Sequence, residues 1–308
     1  MSLRVTKQTV LEVEEVSRND EKLVTKKITK KLYTWGEIPD WQKDNEHILK
    51  GYVKETRNFK DCIESLFFLH NETVNIYSHF IPGVCFLFTI FFNRYCVKYF
   101  VTTTIIDYFF IDLFLFGAFV CLILSSIFHC FKSHSLEVAV FGNKLDYIGI
   151  VVLIVSSMIS ILYYGFYDNL YFFYFFTSLT LFLGMVCAVV SSRDVFRSRE
   201  WRPYRATLFV VFGLSAVLPI LAGIYYYGFA EAWKRVQLSW VILEGIFYIF
   251  GAFLYGIRFP EKLHPGKYDF WGHSHQLFHI FVVIAALCHL RGLLGSYELV
   301  HGRLLAKT

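Results

Sequence analysis

Apolar residues run along this chain in long, nearly uninterrupted stretches separated by short charged segments. A helix that crosses the hydrocarbon of a bilayer takes roughly 17–25 mainly apolar residues. Seven stretches meet that requirement, near 76–92, 107–130, 145–165, 170–191, 206–228, 237–257 and 273–295. The pattern predicts an all-α membrane protein of seven transmembrane helices. It divides the chain into an N-terminal tail with a juxtamembrane segment over 1–75, a helical domain over 76–295 and a short C-terminal tail over 296–308. A partly apolar stretch from Tyr95 to Ile106 reads as an interfacial segment ahead of the second span. The chain shows no internal repeat and no second globular domain.

Composition sharpens the class. Apolar residues make up 56% of the 308 and aromatics 19%, above the roughly 45–50% apolar content of a soluble domain. The 34 phenylalanines and 20 tyrosines cluster in runs such as Tyr171 to Phe176. The tail lacks the apolar core of a cleavable signal peptide, so the first span is expected to direct insertion. Seven cysteines, most of them inside apolar segments (Cys85, Cys121, Cys130, Cys187, Cys288), form an odd and scattered set. That is not a disulfide framework.

Charge placement orients the bundle. Of the 30 lysines and arginines, 23 lie in the tail and in the loops after the second, fourth and sixth spans, against 6 on the opposite side. The richer side is the cytoplasmic one. The N-terminus is therefore expected inside and the C-terminus outside, the reverse of a G-protein-coupled receptor. The tail reads as a solvated, partly disordered face. Its basic cluster (Lys22, Lys26, Lys27, Lys30, Lys31) suits anionic lipid. Trp35, Trp41, Phe67 and Phe68 suggest that its later part folds against the membrane interface.

Ionisable groups are scarce in membrane spans, and those present are functional-site candidates. Ser125 and His129 fall four residues apart at the inner end of the second span, and so share a face. Asp146 opens the third span, and His275 and His279, again four apart, open the seventh. Alternation of direction puts all of them in one leaflet. Three imidazoles with an open fourth position form the pattern of catalytic zinc, and a nearby carboxylate can hold water or serve as a base. Arg205, Tyr147 and Tyr255 fall at the same depth, as an interfacial belt or as contacts for the polar end of an amphiphile. Asp112 and Glu244 lie in the outer half, suited to helix packing or an ion path. Six other histidines (His79, His134, His264, His273, His289, His301) read as structural.

Four segments, ETVNIYSH (Glu72 to His79), SSIFHC (Ser125 to Cys130), NKLDY (Asn143 to Tyr147) and PGKYDFWGHSHQLFH (Pro265 to His279), resemble the signature motifs of the adiponectin and progestin receptor (PAQR) family, also called haemolysin III-related. The nearest likeness is to its fungal Izh-type members, described as involved in zinc and sterol metabolism. The resemblance covers about Tyr33 to His301. It implies seven helices with a cytoplasmic N-terminus and a Zn2+ ion near the inner face, with His129, His275 and His279 as ligands and Asp146 holding the metal's water. It matches Ser125 to the family's serine beside the first histidine, and Arg205, Tyr147 and Tyr255 to contacts for a bound fatty acid. Glu72, Asn75 and His79 belong to the first motif without an assigned role. Two departures stand out. His273 precedes the ligand pair and should face away from it, and the tail is shorter than in the animal receptors.

Three functions are expected to compete. The first is zinc-dependent hydrolysis of a lipid amide, as by a ceramidase, with Asp146 and Ser125 catalytic and a free fatty acid or ceramide-like lipid as ligand. The second is a signalling receptor with structural zinc, answering a membrane lipid or an extracellular protein. The third, a zinc transporter or channel, is the weakest, because the candidate ligands occupy one end of the path. Nothing in the sequence suggests a nucleic acid partner. Plasma membrane, endoplasmic reticulum and vacuole are all compatible with the spans.

Overall fold

A computed structural model describes residues 10–19, 22–30 and 32–306. Two antiparallel strands, β1 (Val10–Asn19) and β2 (Lys22–Lys30), come first. Four of the five lysines of the basic cluster lie on β2, and Lys31 lies outside the described residues. A short helix, α1 (Phe59–Glu64), begins at Asn58, whose side chain accepts from the Lys60 amide. The remaining α-helices are α2 (Thr73–Cys96), α3 (Ile105–Phe131), α4 (Leu136–Gly165), α5 (Leu170–Ser191), α6 (Arg202–Leu214), α7 (Val217–Tyr227), α8 (Phe229–Arg235), α9 (Leu238–Ile257) and α10 (Ser274–Leu305).

Seven helical stretches among the described residues are long and apolar enough to cross a membrane, α6 and α7 together forming the fifth. Successive spans pack side by side, α6 lies against α9, and α10 reaches α2, α3 and α4 as well as α9. The bundle therefore closes around α10. Its apolar core is built by Phe110, Phe114 and Leu122 of α3, Leu153 and Leu162 of α4, and Val282 and Leu293 of α10. Phe88, Phe91, Tyr171 and Tyr225 stay exposed on the outer surface, where hydrocarbon rather than water is the expected neighbour.

The helix ends depart from the sequence expectation in three places, each with a local cause. Helix α4 begins nine residues earlier than the apolar pattern indicates, because Ser135 caps it, accepting from the Val138 amide. Asp146 therefore lies roughly 10 residues, nearly three turns, inside α4 rather than at its start. The fifth span is broken between Leu214 and Val217. Pro219 explains the break, since it has no N–H to offer one turn back and its ring crowds the carbonyl there. The seventh span runs on to Leu305, ten residues past its expected end. That extension is held by polar contacts: His301 Nδ1 lies 2.7 Å from Thr102 Oγ1 and its Nε2 3.1 Å from Asp107 Oδ1. The segment between the first two spans is a turn tied to α10, with the Tyr297 hydroxyl donating to Lys98 O at 2.7 Å.

Residues 33–72 form a folded cap on the end of the bundle where α2 begins. Ile38, Ile48 and Tyr52 make a miniature core with Tyr33 and Trp35. Side-chain bonds then fasten it to the α9–α10 loop: Asn45 Nδ2 donates to Glu261 Oε1 at 3.0 Å, and the Leu49 amide to Asp269 Oδ1 at 2.7 Å. Trp35 is thus spent on the cap's own core, while Phe67 stays 80% exposed.

Candidate metal centre

The capped end of the bundle gathers the histidines. His129 stands in the last turn of α3, and His275 and His279 in the first two turns of α10. Their ligand-capable nitrogens lie within 4.8 Å of one another. Ring centroids are 4.8 Å apart for His129 and His275, and 4.9 Å for His129 and His279. Among the described residues this is the one group of three or more such side chains close enough to share an ion.

The hydrogen bonds around the rings decide which nitrogens are free. Glu72 Oε2 accepts from His129 Nδ1 at 2.8 Å, so Nε2 is the atom His129 can offer. That Nε2 is buried and has no hydrogen-bond partner. Asn75 O accepts from His279 Nδ1 at 3.0 Å, again leaving Nε2. A carboxylate or carbonyl fixing one ring nitrogen while the other faces the ion is the usual support of a metal-bound histidine. An orphaned buried imidazole nitrogen in a trihistidine cluster fits zinc, which takes imidazole readily and leaves room for a fourth ligand.

The first motif, which the sequence left without a role, supplies that support. Glu72, Asn75 and His79 follow i, i+3, i+7 spacing and so present one face. Asn75 Nδ2 donates to Glu72 Oε2 at 2.5 Å, and the His79 ring stacks on His279 with centroids 3.7 Å apart and planes 6° from parallel. The spacing was visible in the sequence, but its partner helices were not. Lys132 Nζ completes the arrangement at 2.7 Å from Glu72 Oε1. Burial opposes ionisation of Glu72, yet Lys132 and His129 together hold its carboxyl well below the usual range. Burial likewise works against Lys132, but Glu72 raises it above the ordinary lysine value.

Asp146 and Ser125 lie beyond the trihistidine group and face each other across the α3–α4 packing. Both line a cavity of about 670 Å³, together with His275, His279, Tyr147, Arg205 and Tyr255. The cavity runs into the bundle between apolar walls that include Leu153, Ile154, Phe278 and Val282. The Arg205 guanidinium lies 5.8 Å from the centre of the Tyr147 ring, and it also donates to the carbonyls of Phe196 and Ser198. Tyr255 packs on His275, with ring centroids 5.0 Å apart. His129 stands at the rear, where a cavity of about 30 Å³ brings it together with Glu72, Lys132 and His70. Burial lowers the His70 imidazole to about 4, so it is neutral near pH 7.

The other polar side chains divide clearly. His273 is not in the trihistidine group; its Nε2 points at Asn71 O, 3.4 Å away. Asp112 accepts from Asn93 Nδ2 at 2.6 Å, a contact between neighbouring helices. Glu244 pairs with His289.

Comparison with known proteins follows the same motifs. The haemolysin-III related family model matches residues 67–290. The chain is 60% identical over 276 residues to the ADIPOR-like receptor IZH2 of Saccharomyces cerevisiae, covering 90% of this chain and 87% of that one. It is 46% identical over 292 residues to the ADIPOR-like receptor IZH1 of Eremothecium gossypii, covering 94% and 92%. The adiponectin receptor protein of Drosophila melanogaster is 38% identical over 269 residues, covering 85% of this chain and 59% of its own longer one. With seven apolar helices and relatives of this kind, this integral multi-pass membrane protein belongs to the haemolysin-III related family, among the adiponectin-receptor-like, Izh-type PAQR proteins.

Proposed function

We propose that the chain holds zinc on His129, His275 and His279 and hydrolyses the amide of a long-chain lipid at that end of the cavity, as a ceramidase does. The observation that carries this reading is the trihistidine cluster, with its uncommitted buried Nε2, at the head of an apolar cavity lined by Asp146 and Ser125. Zinc bound there supplies Lewis acidity that brings the pKa of water to about 7. Asp146 takes a proton from the attacking water as the new C–O bond forms, and returns it to the amine nitrogen as the C–N bond breaks. Ser125 donates a hydrogen bond to the developing oxyanion. Arg205, with Tyr147 and Tyr255, holds the carboxylate of the fatty acid product, whose chain occupies the apolar cavity.

Purified protein incubated with ceramide tests this directly. Asp146→Asn should keep its zinc and lose roughly 100- to 10,000-fold in turnover, the range of a general base, while His275→Ala should lose both. Full turnover in both variants without metal would refute the reading.

A second reading is a receptor in which the metal is structural. The relatives' names support it, and so does the cap of residues 33–72, which bonds to the loop leading into α10. Ligand-dependent signalling that survives Asp146→Asn would favour it. In either case we place the histidine end in the cytoplasm, following the lysine and arginine bias. In sealed right-side-out cells an N-terminal tag should resist protease and a C-terminal tag should be digested.

A further inference from the structure

The cavity beside the histidines continues along α10 to a second pair of polar side chains. Glu244 of α9 and His289 of α10 meet with Oε2 2.9 Å from Nδ1, and both line the same cavity as His275 and His279. A carboxylate only accepts, so Nδ1 donates to it and Nε2 remains the unused position of the ring. That Nε2 is buried without a hydrogen-bond partner, in a side chain only 4% exposed. A buried polar atom left unmatched is costly, and a bound group that matches it recovers the cost. The pair belongs to no cluster of three or more metal-capable side chains among the described residues, so the fitting group is a hydrogen-bonding one rather than a metal ion.

We propose that Glu244 and His289 form a second polar subsite, which receives a hydroxyl carried on the hydrocarbon chain of the bound lipid. This rests on the reading of the cavity as a lipid chamber. A hydroxyl both donates and accepts, so it satisfies Nε2 whether the ring is neutral or protonated. Distance makes the subsite selective. His279 and His289 are separated along α10 by a rise of about 15 Å, and the walls between include Ile150, Leu153 and Val282. A hydroxyl at one depth along the chain meets the pair, whereas at other depths it is stranded against apolar side chains.

The test uses full-length protein in nanodiscs and competition against a fluorescent fatty acid. The probes are stearic acid and stearic acids bearing one hydroxyl at successive chain positions. One position is expected to bind on the order of 10-fold tighter than stearic acid. His289→Phe and Glu244→Met should each erase that advantage while stearic acid affinity and zinc content stay unchanged. Equal binding of stearic acid and every hydroxylated probe by the wild type overturns the subsite and leaves the lipid chamber standing. So does a positional preference that persists in both variants. Failure of every probe, stearic acid included, overturns both. If one variant does not fold, the other decides, read together with the positional preference of the wild type.

Discussion

Glu72 Oε2 lies 2.8 Å from His129 Nδ1, and the other oxygen of the same carboxylate lies 2.7 Å from Lys132 Nζ. One side chain at the head of α2 thereby fixes the ring at the end of α3 and neutralises the lysine after it. The bond fixes the tautomer as well as the direction of the ring, since a carboxylate accepts only from N–H. Removing such a partner commonly costs 10- to 100-fold in metal affinity. Glu72→Gln, which can still accept, should weaken zinc binding by roughly 10-fold, and Glu72→Ala by roughly 100-fold. Competition with a chromophoric chelator measures both. Wild-type affinity in Glu72→Ala would mean that Glu72 serves Lys132 alone.

Metal removal should loosen the contact between α3 and α10, because the three histidines are drawn from those two helices. A ligand that binds only the folded state stabilises by roughly 3–4 kcal/mol when its concentration is 100 to 1,000 times Kd. Chelation should therefore lower the thermal midpoint of the wild type and leave His129→Ala unmoved. An equal drop in both would assign the effect to the chelator rather than to the site.

These contacts show which parts of the molecule were legible in the sequence. The seven spans were, because hydrocarbon demands long apolar runs with few exceptions. His275 and His279 announced themselves by their spacing, and His129 joined them through alternation of helix direction alone. The rotation of one helix against another has no such signature. Glu72 thus reads as a motif residue with no assigned role, Glu244 as a packing or ion-path residue and His289 as a structural histidine, until the neighbouring helices are set side by side. The early start of α4 was hidden because Glu137, Asn143 and Lys144 interrupt the apolar run that marks the rest of the helix. The break in the fifth span was signalled by Pro219, whose consequence depends on the backbone one turn earlier.

The α3–α4 contact depends on the absence of a side chain at Gly117. A Cβ built there would collide with Ser156 Oγ and stand 2.6 Å from Ser156 Cβ. Small residues let helices approach closely where no hydrophobic force separates lipid contact from protein contact. Gly117→Ala should cost about 1–3 kcal/mol, the usual cost of overpacking. Ser156→Gly in the same chain should recover at least half of it. Thermal unfolding in detergent reads both, and a neutral Gly117→Ala would show that the two helices can separate without loss.

The end of the bundle away from the histidines carries a charge cluster whose stability should depend on acid. Arg235 binds Asp168 through both terminal nitrogens, at 2.7 and 2.8 Å, with its guanidinium 3.7 Å above the Tyr227 ring. Its Nε donates to Glu231 Oε1 at 2.7 Å, and Arg303 grips the same carboxylate. The hydrogen bonds from Arg303 hold the Glu231 carboxyl at about 2, burial opposing them and Arg235 adding to them. A carboxyl whose folded pKa lies below its unfolded value stabilises fully above the unfolded value, near 4.5. That contribution drains away as pH falls towards 2. Since the side chain is 31% exposed, solvent screening limits the effect to about 1 kcal/mol. Glu231→Gln should therefore unfold at a lower temperature than the wild type at neutral pH, and the gap should close as pH falls from 4.5 to 2. A gap that stays constant over that interval would show that Glu231 acts by packing and not by charge.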